Sequence, residues 1–386
     1  MVSRAMAAVL RVRQRKSTTR SIAAWECIER DQTLDGLQAP FKLTPHRWQM
    51  RIMEASSVTA QHMEIQFLGT SSGVPTRSRN MTAIAIRTRG ARHWSLVDCA
   101  EGTQHQLLRT NLSPMSLRAI FITHLHGDHC YGLPGLLASA GMLGRTEALT
   151  IVGPPPLRGM IECIMEASQL TLPYPIDWVA IDALAHSDIL PDLRVRATRL
   201  SHRIDCWAYS FTEAAVERKL DIDKLKAGGV PAGPAWGEIQ QGRNVVLDDG
   251  RAVVAEQYLM PPRRSRKMII AGDNDTPELL ALEAASADVL VHEATYTEAI
   301  LHKVGPEPQH SSAAMVARVA QQAQVPNLIL THFSPRYLDP KQANGKVLTL
   351  DDIEHEARAH YTGTLALARD FASYELSKDG SMHLLP

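Results

Sequence analysis

The chain has 386 residues, a formal net charge of zero and an apolar fraction of 45%, values that suit one large globular domain or two smaller ones. The neutral charge excludes a protein that captures nucleic acid by bulk electrostatics, so any nucleic-acid partner has to be held by a local basic patch. Five scattered cysteines without CxxC spacing argue against a disulfide framework and for a reducing compartment. No apolar run approaches the ~18 residues of a membrane span.

Residues 1–61 differ in composition from the rest of the chain. The first 24 residues contain six Arg and Lys residues, and no acidic residue occurs before Glu26. This composition is typical of an organellar transit peptide, but it equally suits an upstream stretch in front of Met63 as the true start, or a disordered basic tail. We therefore predict an N-terminal extension over 1–61, disordered or targeting, and an ordered domain over 62–386.

Strands and helices alternate through the ordered part, which predicts an α/β protein with layered sheets. Strands are expected at 64–68, 82–86, 95–97, 119–123, 149–152, 193–200, 206–211, 267–271, 289–291, 328–330 and 372–376. Helices are expected at 103–109, 133–143, 157–168, 311–324 and 351–360. The loop 69–75 is rich in Gly and Ser, which lets backbone N–H groups approach a phosphate.

Residues 216–250 interrupt this alternation. Two short helical pieces, 217–220 and 223–226, precede the Gly- and Pro-rich run 228–234, which is incompatible with a helix. The apolar content of the segment is too thin for a core element, so we predict an arm that protrudes from the body. A basic cluster follows at Arg263, Arg264, Arg266 and Lys267. These charges form either a solvated surface or a local binding patch.

Side chains that can bind a metal follow several of the predicted strands. Three imidazoles and a carboxylate lie within six residues after the strand 119–123: His124, His126, Asp128 and His129. Because side chains of an extended chain alternate, the first three can point the same way, and the fourth can reach a neighbouring point once the chain turns. Other strand ends carry His202, Asp273, His292 with Glu293, and His332.

Together these strand ends predict a metal site. Active-site residues of α/β sheets gather at the carboxyl ends of strands, and an accidental His-rich surface loop does not explain metal-competent residues at five strand ends. Imidazole and carboxylate ligands without cysteine suit zinc, and a carboxylate shared between two ions suits a dinuclear site. Two ions ~3.5–4 Å apart would suit phosphodiester hydrolysis.

The same residues carry a resemblance that covers most of the chain, from about Met63 to Tyr374. The motif His124-x-His126-x-Asp128-His129 resembles the signature of the metallo-β-lactamase fold. Narrower motifs resemble the ribonuclease Z family within that fold: Phe67-Leu68-Gly69-Thr70-x-x-Gly73-Val74-Pro75 with Arg79-Asn80, Asp98-x-x-Glu101-Gly102, His292-Glu293-Ala294-Thr295 with His310-Ser311, and Leu330-Thr331-His332-x-Ser334-x-Arg336-Tyr337. The segment from Leu225 to Gly250 resembles the tRNA-binding arm of the short members of this family.

The resemblance implies an αββα sandwich of two mixed sheets flanked by helices. The arm at about 216–250 would be an insertion in a catalytic domain over 62–386. The resemblance also implies two Zn²⁺ per subunit, with Mn²⁺ as an alternative, held in two groups that Asp273 bridges. One group is His124, His126 and His202, and the other is Asp128, His129 and His332.

The implied reaction removes 3′ trailers from precursor tRNAs and leaves a 3′-hydroxyl on the tRNA and a 5′-phosphate on the trailer. Asp128 would accept a proton from the attacking water. His310, oriented by Glu293, would donate a proton to the leaving 5′ fragment. The arm would bind the tRNA away from the cut, through RNA-binding residues expected among Lys226, Gly229, Pro231, Gly233 and Pro234.

Family resemblance also implies a homodimer in which the arm of one subunit serves the active site of the other. We expect no membrane association and a cytoplasmic location, or an organelle if 1–61 is a transit peptide. Two alternatives stay open at this point. Another hydrolase of the same fold, such as a phosphodiesterase or an arylsulfatase-like enzyme, would share the ligands but lack the arm. A non-catalytic RNA-binding module is disfavoured, because binding alone does not need seven ligands.

Overall fold

The computed structural model describes residues 62–186, 189–340 and 347–386, and the predicted extension over 1–61 lies outside these residues. Within the described residues, the strands form one sheet of eight strands, one of six strands and a two-stranded ribbon. The two large sheets are mixed, because parallel and antiparallel neighbours occur in each of them.

The eight-stranded sheet has the order β16-β15-β1-β2-β3-β4-β5-β6. Its strands are β1 (Met63–Gly69), β2 (Ala83–Thr88), β3 (Trp94–Val97), β4 (Leu117–Phe121), β5 (Leu149–Gly153), β6 (Ile176–Ala180), β15 (Ser373–Leu376) and β16 (Met382–Leu384). The neighbours from β3 to β6 are parallel, which places the carboxyl end of β4 beside those of β3 and β5. Side chains that follow β4 therefore start from the middle of a parallel block, where active-site residues commonly lie.

The six-stranded sheet has the order β14-β13-β12-β11-β8-β7. Its strands are β7 (Leu193–Leu200), β8 (Cys206–Glu213), β11 (Lys267–Ala271), β12 (Val289–Glu293), β13 (Asn327–Thr331) and β14 (Thr364–Leu367). The block from β11 to β14 is parallel, whereas β7, β8 and β11 are antiparallel. The strands β11, β12 and β13 are buried along their whole length, which is why they are nearly continuous apolar runs.

The two sheets pack face to face through a shared apolar core. Ile65 of β1 and Val291 of β12 belong to this core, although they come from different sheets. The rings of Phe121 on β4 and Phe211 on β8 meet edge to face, with centroids 5.3 Å apart, a favourable geometry for an aromatic pair. The two sheets thus form the inner layers of a sandwich.

Helices cover the outer faces of both sheets. The outer core of the first sheet includes residues of α1, α3 and α4, and that of the second sheet includes residues of α7, α9 and α10. The helices are α1 (Thr103–Leu107), α2 (Gly127–Cys130), α3 (Leu133–Met142), α4 (Pro156–Ala167), α5 (Ile222–Ala227), α6 (Pro234–Gln240), α7 (Ala281–Ala284), α8 (Glu298–Val304), α9 (Ala313–Gln322) and α10 (Leu350–Arg358). Among the described residues, no helix has the length and apolar content needed to cross a bilayer.

Two of these helices begin at residues whose side chains favour a helix start. Ser312 precedes α9, and its hydroxyl accepts a hydrogen bond from Met315 N–H at 3.2 Å. Thr349 precedes α10, and its N–H donates to Asp352 Oδ2 at 2.7 Å. Such caps satisfy backbone groups that the first helical turn leaves without partners. They explain why the Ala-rich run before β13 starts its helix at Ala313.

The arm is a compact unit with its own small core, which corrects the prediction that its apolar content is too thin. Seven buried apolar residues pack together in it: Leu225, Val230, Ile239, Leu247, Val253, Ala255 and Leu259. The cluster therefore extends beyond 250, and Met260 N–H donates to Lys219 O at 2.8 Å where the two stems meet. The helical piece predicted at 217–220 is absent, and the strands β9 (Val245–Val246) and β10 (Ala252–Val253) complete the unit.

Each member of the basic cluster 263–267 that the sequence singled out has a carboxylate partner within the chain. Arg263 and Arg266 both bind Glu213, Arg264 binds Asp288, and Lys267 binds Glu283. Burial tends to raise the pKa of Glu213, but its hydrogen bonds from Arg263 and Arg266 outweigh burial and lower it to about 2. All four cations of the cluster are thus held by ion pairs within the chain, although the Arg264 side chain stays largely exposed.

Candidate metal centre

The predicted ligands lie at the carboxyl ends of strands in both sheets. The first sheet supplies the residues that follow β4: His124, His126, Asp128 and His129. The second sheet supplies the residues that follow β7, β11 and β13: His202, Asp273 and His332. The structure brings all seven side chains into two groups, within each of which the ligand atoms lie within 4.8 Å of one another. A third, overlapping group joins Asp273 and His332 to His310.

The first group consists of three imidazoles and one carboxylate. His126 Nδ1 lies 3.1 Å from His124 Nε2 and 3.1 Å from His202 Nε2. Asp273 Oδ2 lies 3.6 Å from His124 Nε2 and 3.7 Å from His202 Nε2. Burial lowers the pKa of all three histidines, most strongly that of His124. They are therefore neutral at pH 7, which is the form that binds a metal.

The second group consists of Asp128, His129 and His332. His129 Nε2 lies 3.2 Å from His332 Nε2, and Asp128 Oδ2 lies 3.4 Å from His332 Nε2. The same oxygen of Asp128 accepts a hydrogen bond from the N–H of Gly73 at 2.7 Å, which fixes the carboxylate. Asp273 Oδ1 lies 3.4 Å from the Nε2 atoms of both histidines. Asp273 thus presents one oxygen to each group.

Asp98, directly after β3, orients ligands of both groups. Its Oδ2 accepts a hydrogen bond from His129 Nδ1 at 2.7 Å, which leaves the lone pair of His129 Nε2 pointing into the site. The same oxygen accepts from Thr123 Oγ1 at 2.9 Å, and that hydroxyl lies 3.1 Å from His124 Nδ1. The hydroxyl is therefore free to accept the Nδ1 proton of His124, and one buried carboxylate fixes two imidazoles.

A second buried carboxylate, Glu293 at the end of β12, orients His332 through a threonine hydroxyl, as Asp98 orients His124. Thr295 Oγ1 donates to Glu293 Oε2 at 2.7 Å and lies 3.1 Å from His332 Nδ1. The Nδ1 of His202 has a different partner, since it donates to the backbone carbonyl of Gln309 at 2.8 Å. In each case the inner nitrogen keeps a lone pair that faces the other ligands.

The donor set fits a bound cation. Asp273 Oδ1 is buried and has no hydrogen-bond partner among the described residues, although a buried carboxylate oxygen is costly without one. Burial favours the neutral form of Asp273, but His332 and His129 outweigh it and hold its pKa well below the usual range. The carboxylates of Asp273 and Asp98 in turn raise the pKa of His129 against the effect of burial. The cluster therefore attracts positive charge to its centre.

Three residues of this region have left-handed backbone angles that side chains seldom adopt. The φ angles are 58° for Asp98, 52° for Gln309 and 57° for His332. Such conformations cost free energy and are found mainly where function over-determines the backbone. One of the three is a predicted ligand, and the other two hold ligands by hydrogen bonds.

His310, just before α9, lies beside the metal groups and is not enclosed by them. Its Nδ1 is 3.3 Å from Glu293 Oε1 and 3.8 Å from Asp273 Oδ2. Burial by itself lowers the pKa of His310, but the charges of Glu293 and Asp273 outweigh burial and raise it to about 9. His310 is thus protonated at neutral pH and able to donate a proton. The neighbouring His292 points elsewhere, toward the Asn274 amide at 3.1 Å.

A cavity of about 370 Å³ opens in front of the metal groups. Asp128, Asp273 and His310 line it, so the reactive side chains of the site are accessible to a substrate. No arm residue lines this cavity among the described residues. The predicted RNA-binding residues Lys226, Gly229, Pro231, Gly233 and Pro234 lie on and between α5 and α6 of the arm. The structure therefore keeps the two predicted sites apart.

The residues that orient the ligands are not evident from the sequence. Asp98 occurs in one of the quoted motifs, yet its side chain had no predicted role. Thr295 also occurs in a quoted motif without a predicted role, and Thr123 and Gln309 had no predicted role either. A usable signal existed for Asp98, because it is a carboxylate that directly follows β3, just as His332 directly follows β13.

Loss of the Asp98 carboxylate should weaken metal binding. We expect Asp98→Asn to lower metal affinity about 10–100-fold. Donors face both carboxylate oxygens, since Oδ1 accepts from the Thr123 N–H and Oδ2 accepts from His129 and the Thr123 hydroxyl, so the amide NH2 would have to face a donor at one of the two positions. Metal content after dialysis against graded chelator concentrations measures this. Asp177→Asn, which changes an exposed carboxylate of β6, is the matched control. Equal metal retention in both variants would contradict the orienting role.

Known proteins resemble this chain over most of its length. The family described as "Anti-Pycsar protein Apyc1" matches residues 63–160. Ribonuclease Z of Marinobacter nauticus is 52% identical over 321 residues, which cover 83% of this chain and 98% of that protein. Ribonuclease Z of Crocosphaera subtropica is 42% identical over 322 residues, which cover 83% of this chain and 100% of that protein.

Solved structures agree with this similarity. Human tRNase Z, short form, superposes with a TM-score of 0.54 at 26% identity, covering 80% of this chain and 98% of the human chain. The metallo-β-lactamase fold protein YhfI of Bacillus subtilis superposes with a TM-score of 0.53 at 17% identity, covering 81% of this chain and 99% of that chain, which bears on the fold alone. The predicted fold is confirmed. Because 52% of the 321 aligned residues are identical to those of a ribonuclease Z, and the alignment covers 98% of that protein, this chain belongs to the ribonuclease Z family.

Proposed function

We propose that this protein is a zinc-dependent endoribonuclease that removes 3′ trailers from precursor tRNAs. The observation that carries the proposal is Asp273, whose two oxygens face two separate histidine groups at the floor of an open cavity. A carboxylate shared in this way suits two metal ions. The names of the relatives, ribonuclease Z and tRNase Z, support tRNA as the substrate.

Two Zn²⁺ per subunit would be held by the seven predicted ligands, with Asp273 between them. The first would be held by His124, His126 and His202, and the second by Asp128, His129 and His332. Zinc bound here would supply Lewis acidity, which lowers the pKa of water and stabilises charge on the phosphoryl oxygens. The absence of cysteine from this set leaves Mn²⁺ as an alternative.

Asp128 is the residue that would accept a proton from the attacking water. The N–H of Gly73 holds its Oδ2 at 2.7 Å, so the carboxylate is fixed before the substrate arrives. Burial tends to raise the pKa of Asp128, but positive charge at its neighbour His129 outweighs burial and lowers it. A cation held by the Nε2 of His129 would take the place of that charge and keep the carboxyl ionised. An ionised, oriented carboxylate that borders the cavity meets the geometric requirement for a general base.

His310 would act at the opposite end of the reaction. As the bond from phosphorus to the 3′ oxygen of the tRNA breaks, that oxygen gains negative charge and needs a proton. His310 Nδ1 donates to Glu293 Oε1, which leaves the other ring nitrogen free to supply this proton. Two carboxylates, Glu293 and Asp273, raise the pKa of His310. Since Asp273 would bind the metal ions, Glu293 is the partner that would keep His310 protonated.

The loss of rate that follows removal of the proton donor His310 should depend on how readily the leaving group departs. We expect His310→Ala to lower the rate on precursor tRNA by about 10²–10⁴-fold, the usual contribution of a general acid. The loss should be much smaller on bis(p-nitrophenyl) phosphate, since p-nitrophenolate departs without a proton. Steady-state rates on both substrates measure this, with the exposed His360→Ala as the control. Equal losses on the two substrates would contradict the role of His310.

The arm would bind the body of the tRNA through Lys226, Gly229, Pro231, Gly233 and Pro234. Folded RNA is recognised mainly by its shape and backbone, which suits a small rigid unit with few aromatic residues. We further propose a homodimer in which the arm of one subunit serves the cavity of the other. This arrangement would explain an arm that contributes no residue to its own cavity among the described residues.

Incubation with a precursor tRNA that carries a 3′ trailer tests the proposed function. We expect one cut at the end of the tRNA body, with a 3′-hydroxyl on the tRNA and a 5′-phosphate on the trailer. Metal analysis of the purified protein should find two zinc ions per chain. Failure to cut this substrate, together with turnover of simple phosphodiesters or aryl sulfates, would instead favour another hydrolase of the same fold.

A further inference from the structure

The cavity in front of the metal groups contains two large side chains that the proposed reaction does not use. Tyr131 is 65% exposed, Arg203 is exposed as well, and both line the cavity with Asp128 and Asp273. We propose that Tyr131 and Arg203 form a nucleotide-binding subsite, in which a base next to the scissile phosphate stacks on the Tyr131 ring and a flanking phosphate pairs with Arg203. This inference rests on the proposed function, because it takes RNA as the occupant of the cavity.

The ring of Tyr131 is held in place by the backbone of α2. A Cβ added to Gly127 would lie 2.5 Å from Cε2 and 2.6 Å from Cδ2 of this ring. The ring therefore occupies the space that a side chain at position 127 would need, and glycine is required beneath it. One edge of the ring lies against the backbone at Gly127 while much of the side chain stays exposed. An aromatic group that is already fixed loses little conformational entropy when a base stacks on it.

Arg203 is a free cation at the mouth of the same cavity. It directly follows His202, and none of the described carboxylates forms an ion pair with it. The nearby Arg199, by contrast, pairs with Asp205 at 2.5 Å. A guanidinium with unused N–H donors matches the paired oxygens of a phosphate. Arg203 can therefore bind a phosphate without first breaking a contact of its own.

The attachment points of the two side chains place them on either side of the reacting phosphate. Tyr131 lies on the segment that supplies Asp128 and His129 to the second metal group, and Arg203 adjoins His202 of the first. A phosphate held between the two groups thus has one of these side chains at each flank. Stacking on an aromatic ring tolerates any base, because every base has a π-face. Such a subsite would accept trailers of differing sequence.

A thermodynamic cycle between Tyr131 and single bases tests the stacking contact. A set of precursor tRNAs is prepared, each with a single abasic nucleotide at one of the positions next to the cut, two on the tRNA side and two on the trailer side. Each substrate is cleaved by the wild-type protein and by Tyr131→Ala. At the stacked position, we expect the abasic nucleotide and the substitution each to lower kcat/KM about tenfold, and the two together to cost little more than one alone. Tyr131→Phe keeps the ring and should preserve this coupling.

The salt dependence of cleavage tests the phosphate contact. Arg203→Ala should lower kcat/KM and reduce the slope of log kcat/KM against log salt concentration by about one, because one phosphate contact is lost. Arg199→Ala removes an exposed cation four residues away and should keep the wild-type slope. An unchanged slope for Arg203→Ala overturns the phosphate contact.

The outcomes of these experiments separate the subsite from the proposed function. Cleavage of the intact precursor by wild type, without coupling between Tyr131 and any abasic position, overturns the stacking contact and leaves the proposed function in place. Absence of cleavage of the intact precursor by wild type overturns the proposed function, and the subsite with it. Coupling confined to one position supports the subsite and identifies the stacked nucleotide.

Discussion

Asp128→Ala should abolish cleavage of precursor tRNA while the protein still binds tRNA. The substitution removes both a predicted ligand of the second metal group and the proposed base, so we expect kcat to fall by at least about 10³-fold. Affinity for tRNA should stay within about twofold of the wild-type value, because the arm that is proposed to bind the tRNA does not share residues with the cavity. Single-turnover cleavage of the precursor and equilibrium binding of tRNA without a trailer measure the two quantities.

Two further variants show whether the loss of cleavage comes from the Asp128 carboxylate itself. Asp182→Ala removes an exposed carboxylate from the turn Ile181–His186 and should leave both quantities unchanged. Asp128→Asn keeps an oxygen at the same position but cannot accept the proton, so it should also lose activity. A parallel loss of tRNA binding in the Asp128 variants would mean that recognition occurs at the cavity and not at the arm.

Removal of the arm should have the opposite effect to Asp128→Ala: tRNA recognition should be lost while the hydrolytic centre keeps working. Residues 219–260 can be replaced by a short Gly-Ser linker, because Lys219 and Met260 are joined by a 2.8 Å hydrogen bond where the stems meet. We expect kcat/KM for precursor tRNA to fall by about 10²-fold or more, since the second point of attachment is lost. Hydrolysis of bis(p-nitrophenyl) phosphate should persist, because no arm residue lines the cavity among those described.

The boundaries of this deletion matter for its outcome. A cut at 250 would leave Val253, Ala255 and Leu259 without the apolar partners they have in the arm, and the exposed residues would favour aggregation. Thermal unfolding checks that the body stays folded, since the core between the sheets contains no arm residue. Full turnover of precursor tRNA by the shortened protein would contradict the proposed role of the arm.

The grouping of the seven candidate ligands could be predicted from the sequence because each of them lies after a strand. The apolar runs before His124, Asp273 and His332 identify strands, and strand ends on one side of a sheet converge. The layered α/β class also follows from local pattern, since strands and helices alternate along the chain, whereas the sandwich of two mixed sheets came from the family resemblance. The structure adds β6 and α8, whose short mixed sequences have no clear periodicity.

Features that depend on contacts between distant residues could not be predicted. Asp98 bonds Thr123 and His129, which are 25 and 31 positions away in sequence, so its place at a strand end can be read from the sequence but its partners cannot. The arm core was missed because its apolar residues are spread singly between turns, without the period of a helix or strand. The basic cluster near 265 was misread for the same reason, because Glu213 and Asp288 reach it through tertiary structure.

Neither metal group can form from one sheet alone. Each takes residues that follow β4 in the first sheet and residues from the second, and His332, the last ligand along the chain, follows β13. A chain emerging from the ribosome therefore lacks a complete hydrolytic centre until nearly all of it has been made and the sandwich has closed. A copy in which the two sheets have not packed together lacks residues of both groups. The division of the candidate ligands between the two layers thus makes completion of the centre depend on completion of the fold.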